Sequence, residues 1–130
     1  MKHNKSYEEF LKENQLDKEN IFKRKTTIDT YLDMRDFFRS KLGDDYDNIA
    51  KQEKLFDKAK TQTINVNDII PNQDYLSMDQ VRRNQTIALN KKPLGVKFSD
   101  GSVVLFDGHH RVAAEITKGA KEVKMKVLNA

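Results

Sequence analysis

The sequence predicts an α+β fold, a small mixed sheet with helices preceded by an α-helical N-terminal extension. Three observations lead there. Residues 1–60 contain one glycine, Gly43, no proline, and apolar residues recurring at helical spacing. Residues 61–130 instead alternate short β-branched runs with helix-like runs, separated by turn residues. The chain has 130 residues, 37% of them hydrophobic, which suffices for one domain or one small domain with an extension. We therefore divide it into a helical extension, 1–60, for packing or oligomerisation, and an α+β domain, 61–130.

In chain order, a short helix is expected around Ser6 to Glu13. A second is expected to open at Thr26, whose pairing with Asp29 resembles an N-terminal capping box, and to close at Gly43 after Lys41-Leu42. Ile28, Tyr31, Leu32, Phe38 and Leu42 are read as one face of it, most simply a packing face. A third helix carries Tyr46, Ile49, Ala50, Leu55, Phe56 and Ala59. Thr63-Ile64-Asn65-Val66 is β-branched and reads as a strand. Asp68-Ile69-Ile70-Pro71-Asn72 reads as a lead into a loop. Ser77 with Gln80 makes a capping box for a helix from Met78 to Leu89. Leu94 to Phe98 and Val103 to Phe106 read as strands joined by an Asp100-Gly101 turn. A helix from His109 to Lys118 is closed by Gly119, and Val123 to Val127 alternates as a last strand.

Composition excludes several function classes. Cysteine is absent, which removes disulfides, thiolate catalysis and cysteine-ligated zinc. There is no run of about 18 apolar residues and no apolar core in Met1 to Phe10, so neither a membrane span nor a signal peptide is expected. A cytoplasmic setting, or a virion interior, is the simplest compartment. The net charge is +4, from 24 Lys+Arg against 20 Asp+Glu. The two signs are interspersed, so ordinary surface charge explains the balance better than a polyanion partner does. The cluster Lys23-Arg24-Lys25 reads as a solvated turn.

The stretch Phe106-Asp107-Gly108-His109-His110-Arg111-Val112-Ala113-Ala114 is less easily explained by packing. It lies where a strand ends and a helix begins, so the helix's first N–H groups and its partial positive charge point outward there. Gly108 lacks the Cβ that would obstruct a close approach. Asp107 suits the N-cap or assists a metal. Arg111 offers a two-pronged fork, and His109 and His110 can donate when protonated. Together they form a cradle for an oxyanion, with phosphate the best fit. A resident metal is less expected, because adjacent histidines on a helix diverge. A nucleophilic triad has no support, since no Gly-x-Ser-x-Gly turn occurs.

On these residues the chain resembles the ParB/sulfiredoxin superfamily. The resemblance covers residues 61–130 and is strongest over Val103 to Gly119, with Ile64 to Asn72 upstream. It implies a strand, then a Gly-x-x-Arg turn opening a helix, and nucleotide phosphates bound at that turn. Sulfiredoxins are similar at Gly108, His110 and Arg111. Their catalytic cysteine falls on His109, so the resemblance does not extend to sulfinic acid reduction. Chromosome-partitioning members are similar at Gly108 and Arg111, but carry Glu-Arg where this chain has His109-His110. Free serine kinases resemble it at Asp107, Gly108, His109 and Arg111, and use an upstream carboxylate for which Asp68 or Asp74 could stand. Small stand-alone versions resemble phage and mobile-element proteins.

Four readings follow. In one, the chain is a phosphate-ligand-binding domain that takes a nucleotide at Gly108, His109, His110 and Arg111. Mg²⁺ would accompany the nucleotide, and if phosphoryl transfer occurs, Arg111 and a histidine would stabilise charge. In another, it is a DNA-binding accessory protein, with Arg82, Arg83, Lys91, Lys92 and Lys97 extending the phosphate surface and the N-terminal helices forming a homo-oligomer. A nuclease variant would use His109 or His110 as general acid or base. A fourth reading is an assembly module that binds neither ligand.

Overall fold

The computed structural model describes residues 4–16, 27–73, 75–86 and 91–130. Strand β1 (Asn4–Ser6) runs into helix α1 (Tyr7–Glu13), where the Ser6 hydroxyl caps the helix by accepting the Glu9 N–H at 3.1 Å. Helix α2 (Thr27–Leu42) ends at Gly43, whose φ of +60° starts a 3₁₀ turn. Helix α3 (Ile49–Leu55) is capped by the Asn48 side chain, which accepts the Lys51 N–H.

The remaining chain supplies strands β2 (Lys60–Asn65), β3 (Ile69–Ile70) and β4 (Tyr75–Ser77) and helix α4 (Met78–Thr86). Strands β5 (Leu94–Lys97) and β6 (Val103–Asp107), helix α5 (His109–Thr117) and strand β7 (Glu122–Asn129) follow. The main sheet is five-stranded and mixed, in the order β2-β7-β5-β6-β3, and β1 pairs with β4 in a separate antiparallel ribbon. β5 and β6 form the expected hairpin around Gly101, at φ +86°. β7 lies antiparallel to β2 and parallel to β5, while β3 lies parallel to β6.

Register divides the sheet into two faces. Ile64 opposes Val123, and Met125 and Val127 follow it two and four residues on, all buried on one face. Thr63 opposes Lys124 and Thr61 opposes Lys126 on the other. On that second face, the Phe106 ring stacks on Phe56 at 5.1 Å and meets Phe38 at 5.5 Å. The helices of the first sixty residues thus pack onto the sheet, and their buried side chains join those of the sheet and of α5 in one hydrophobic core.

The structure revises several expectations. The segment from Asp68 to Asn72 holds β3, because Ile69 and Ile70 are buried beside Val103 and Val104. The expected single face of α2 splits: Phe38 is in the core with Thr30, Met34 and Phe37, but Ile28, Tyr31 and Leu32 are 70%, 63% and 36% exposed. Helical rotation of about 100° per residue puts Ile28 and Leu32 more than about 120° from the centre of the buried arc of Thr30, Met34, Phe37 and Phe38, and Tyr31 at the edge of that arc. Lys23-Arg24-Lys25, the Thr26 end of the capping box, His3, Asp74 and the helical run expected beyond Thr86 to Leu89 lie outside the described residues.

Candidate functional site

Strand β6 delivers Asp107 to the sheet end, and Gly108 turns the chain into α5 at φ +94°, a conformation that favours glycine. A Cβ on Gly108 would also lie 2.9 Å from the Pro93 Cα. The space beside Gly108 is therefore filled by Pro93. The glycine is accounted for by that close backbone approach, without a ligand. The N-cap position falls on Gly108 and not on Asp107, and no side chain caps the helix. Asp107 Oδ1 accepts the Gly108 N–H at 2.8 Å, and its Oδ2 faces the Lys91 ammonium at 3.7 Å.

The next three side chains separate. His109 is 6% exposed, and its Nε2 accepts the Asn72 N–H at 2.8 Å. His110 is half-buried, and its Nε2 accepts the Ser77 N–H at 3.0 Å. Both rings therefore carry their proton on Nδ1 and are held neutral by the bonds they accept. Burial pushes the His109 imidazole down to about 4, with a further push from His110 and an opposing pull from Asp107. Burial also lowers His110. The Tyr7 ring of α1 meets His109 edge-on at 6.2 Å. The two imidazoles thus staple the segment between β3 and α4 to the start of α5. At neutral pH they bring no positive charge to an anion.

Arg111 faces elsewhere. It lines a hollow of about 300 Å³ with Lys91, Lys92, Lys124, Glu115 and Glu122. Its Nε is buried and has no hydrogen-bond partner among the described residues. A second hollow of about 260 Å³ shares Lys91 and Lys92 and adds Lys126, Glu53, Asp57 and Phe56. Lys124 and Lys126 were missed in the sequence, although their alternation with Val123, Met125 and Val127 already places both on the opposite face of β7 from those buried residues. Two of the expected nucleic-acid residues, Lys91 and Lys92, join Arg111 in the hollow. The other three lie away from it: Arg82 and Arg83 are exposed on α4, with Arg82 paired to Asp79, and Lys97 is at the far end of β5 from Lys91 and Lys92.

Four cationic groups against two carboxylates make the first hollow a place where an anion is favoured. Among the described residues no group of three or more His, Asp or Glu side chains could hold a metal ion. Both Asp107 oxygens already face a donor or a cation. No helix among the described residues is long and apolar enough to cross a membrane. No family model and no curated protein matches the chain.

Proposed function

We propose that this protein is a phosphate-ligand-binding domain of the ParB/sulfiredoxin type, with Arg111 as the principal ligand-binding residue and a nucleotide or nucleic-acid backbone as the ligand. The observation that carries the reading is Arg111, which lines a hollow beside Lys91, Lys92 and Lys124 and whose buried Nε has no hydrogen-bond partner among the described residues. A buried donor without an acceptor is costly, by about 1–3 kcal/mol, and more when charged. A phosphate oxygen would remove that cost and take a two-pronged bond from the guanidinium. Lys91, Lys92 and Lys124 would add charge without fixed geometry. The first-turn N–H groups of α5, which have no carbonyl one turn back in the helix, support the same charge preference.

A turnover reaction is not part of this proposal. The Nε2 atoms of His109 and His110 are engaged by backbone N–H groups. General acid or base chemistry there would require those bonds to break.

The test is calorimetric titration of wild type, Arg111→Ala and Arg111→Lys. The probes are nucleoside di- and triphosphates with Mg²⁺, and a short DNA duplex at about 50 and about 200 mM salt. The expected result is binding of at least one probe, weakened about tenfold or more in Arg111→Ala, with partial retention in Arg111→Lys. Preference for a free nucleotide identifies a nucleotide site, whereas duplex binding that falls steeply with salt identifies a backbone reader. Absence of binding to every probe, or affinity unchanged in Arg111→Ala, overturns the reading.

A further inference from the structure

The basic hollow at Arg111 does not end at Lys91 and Lys92. The same two lysines line the second hollow, of about 260 Å³, so the two spaces adjoin. They lie end to end along β7. Lys124 lines the first and Lys126 the second, and these residues point to the same face of the strand about 7 Å apart. Pro93 and Leu94 follow the same course, one at each hollow, and the Pro93 carbonyl accepts the Lys126 N–H at 2.9 Å.

The two hollows differ in chemistry. The second gains Glu53 from α3 and Asp57 from the 3₁₀ turn that follows it, with Phe56 and Leu94 as the apolar part of its lining. Glu53 and Asp57 are exposed, and neither is in an ion pair among the described residues. A polynucleotide continuing from Arg111 along β7 would bring its next phosphate beside these two carboxylates, an unfavourable approach. A ribose would instead bring hydroxyl groups that donate to carboxylates, and a carbon face that suits Phe56 and Leu94. Resting on the reading of Arg111 as the phosphate ligand, we propose that the bound molecule is a phosphate ester of a ribose with free hydroxyl groups, its phosphate at Arg111 and Lys124 and its hydroxyls donating to Glu53 and Asp57. The first sixty residues then set specificity, while the sheet and α5 hold the phosphate.

Binding would be measured for wild type, Arg111→Ala and the double variant Glu53→Ala/Asp57→Ala, whose two positions are exposed and outside the core. The probes are adenosine, guanosine, cytidine and uridine diphosphates, their dideoxy counterparts, ribose phosphate, and a single-stranded oligodeoxynucleotide of about ten residues. At least one ribose ligand should bind, and a dideoxy counterpart should bind about tenfold or more weaker. The double variant should weaken the ribose ligand about tenfold and should not weaken the dideoxy one, as a double-mutant cycle requires. Ribose phosphate binding as tightly as the nucleotides identifies a sugar phosphate as the ligand, and tighter nucleotide binding identifies a nucleotide; both uphold the proposal. Equal affinity for ribose and dideoxy ligands overturns it. So does equal affinity of wild type and the double variant, or tighter binding of the oligonucleotide than of every ribose ligand. If Arg111→Ala still loses affinity in those cases, the phosphate site stands and only the ribose assignment fails. Absence of all binding, or no loss in Arg111→Ala, overturns both.

Discussion

At residue scale, Gly108, His109, His110 and Arg111 are consecutive in sequence but serve different ends. Gly108 is fixed by φ and by Pro93. Gly108→Ala should cost about 2 kcal/mol or more, since it strains the backbone and drives a methyl into the Pro93 backbone. Urea unfolding would measure it, and a loss under about 0.5 kcal/mol would contradict this account. The histidines make stability depend on pH in a definite direction. His109 is pushed down to about 4 in the folded state from an ordinary value of 6.5. The folded protein therefore binds fewer protons than the unfolded chain across that interval. The stabilisation is complete above about pH 6.5 and is lost as pH falls toward 4, by up to about 3 kcal/mol for His109. His110 acts in the same direction. Chemical denaturation at pH 7.5 and at pH 5 should show the decline, and His109→Gln should flatten it while lowering stability at neutral pH.

At the scale of elements, the helices and the hairpin were legible because their signals are local. Ser6, Asn48 and Ser77 cap helices with their own side chains, and Gly43, Gly101 and Gly119 sit at positive φ where helices or a hairpin turn. The short strands were not legible. β1, β3 and β4 have three, two and three residues, too few to display an alternation, and each exists because a distant partner strand supplies hydrogen bonds. The α2 stripe failed for a related reason. Five apolar residues marked α2 as a helix, but which of them face the core depended on where Phe106 and Phe56 lie. Phe106→Ala should cost about 2 kcal/mol or more. It should also lower amide hydrogen-exchange protection in α2 and α3 more than in β7. Uniform loss of protection would instead mean that the helices and the sheet unfold as one unit.

At the scale of the whole molecule, one core joins the N-terminal helices to the sheet, and the basic hollow forms where 91–93, α5 and the start of β7 meet. Its cations come from three places in sequence, around positions 92, 111 and 124. Net charge therefore gave no sign of it: the clustering is spatial, within a total of only +4.

The sequence by itself determined the α+β class, most element types, and the strand–Gly108–helix turn that carries Arg111, because caps, turn glycines and periodicity act over a few residues. Only the tertiary structure decided which side chains of that turn meet an open hollow. His109 and His110 are engaged by Asn72 and Ser77, 37 and 33 residues away, and Arg111 is left facing Lys91, Lys92 and Lys124. Hydrogen-bond satisfaction and burial belong to the assembled surroundings of a residue, and no local pattern in the chain encodes them.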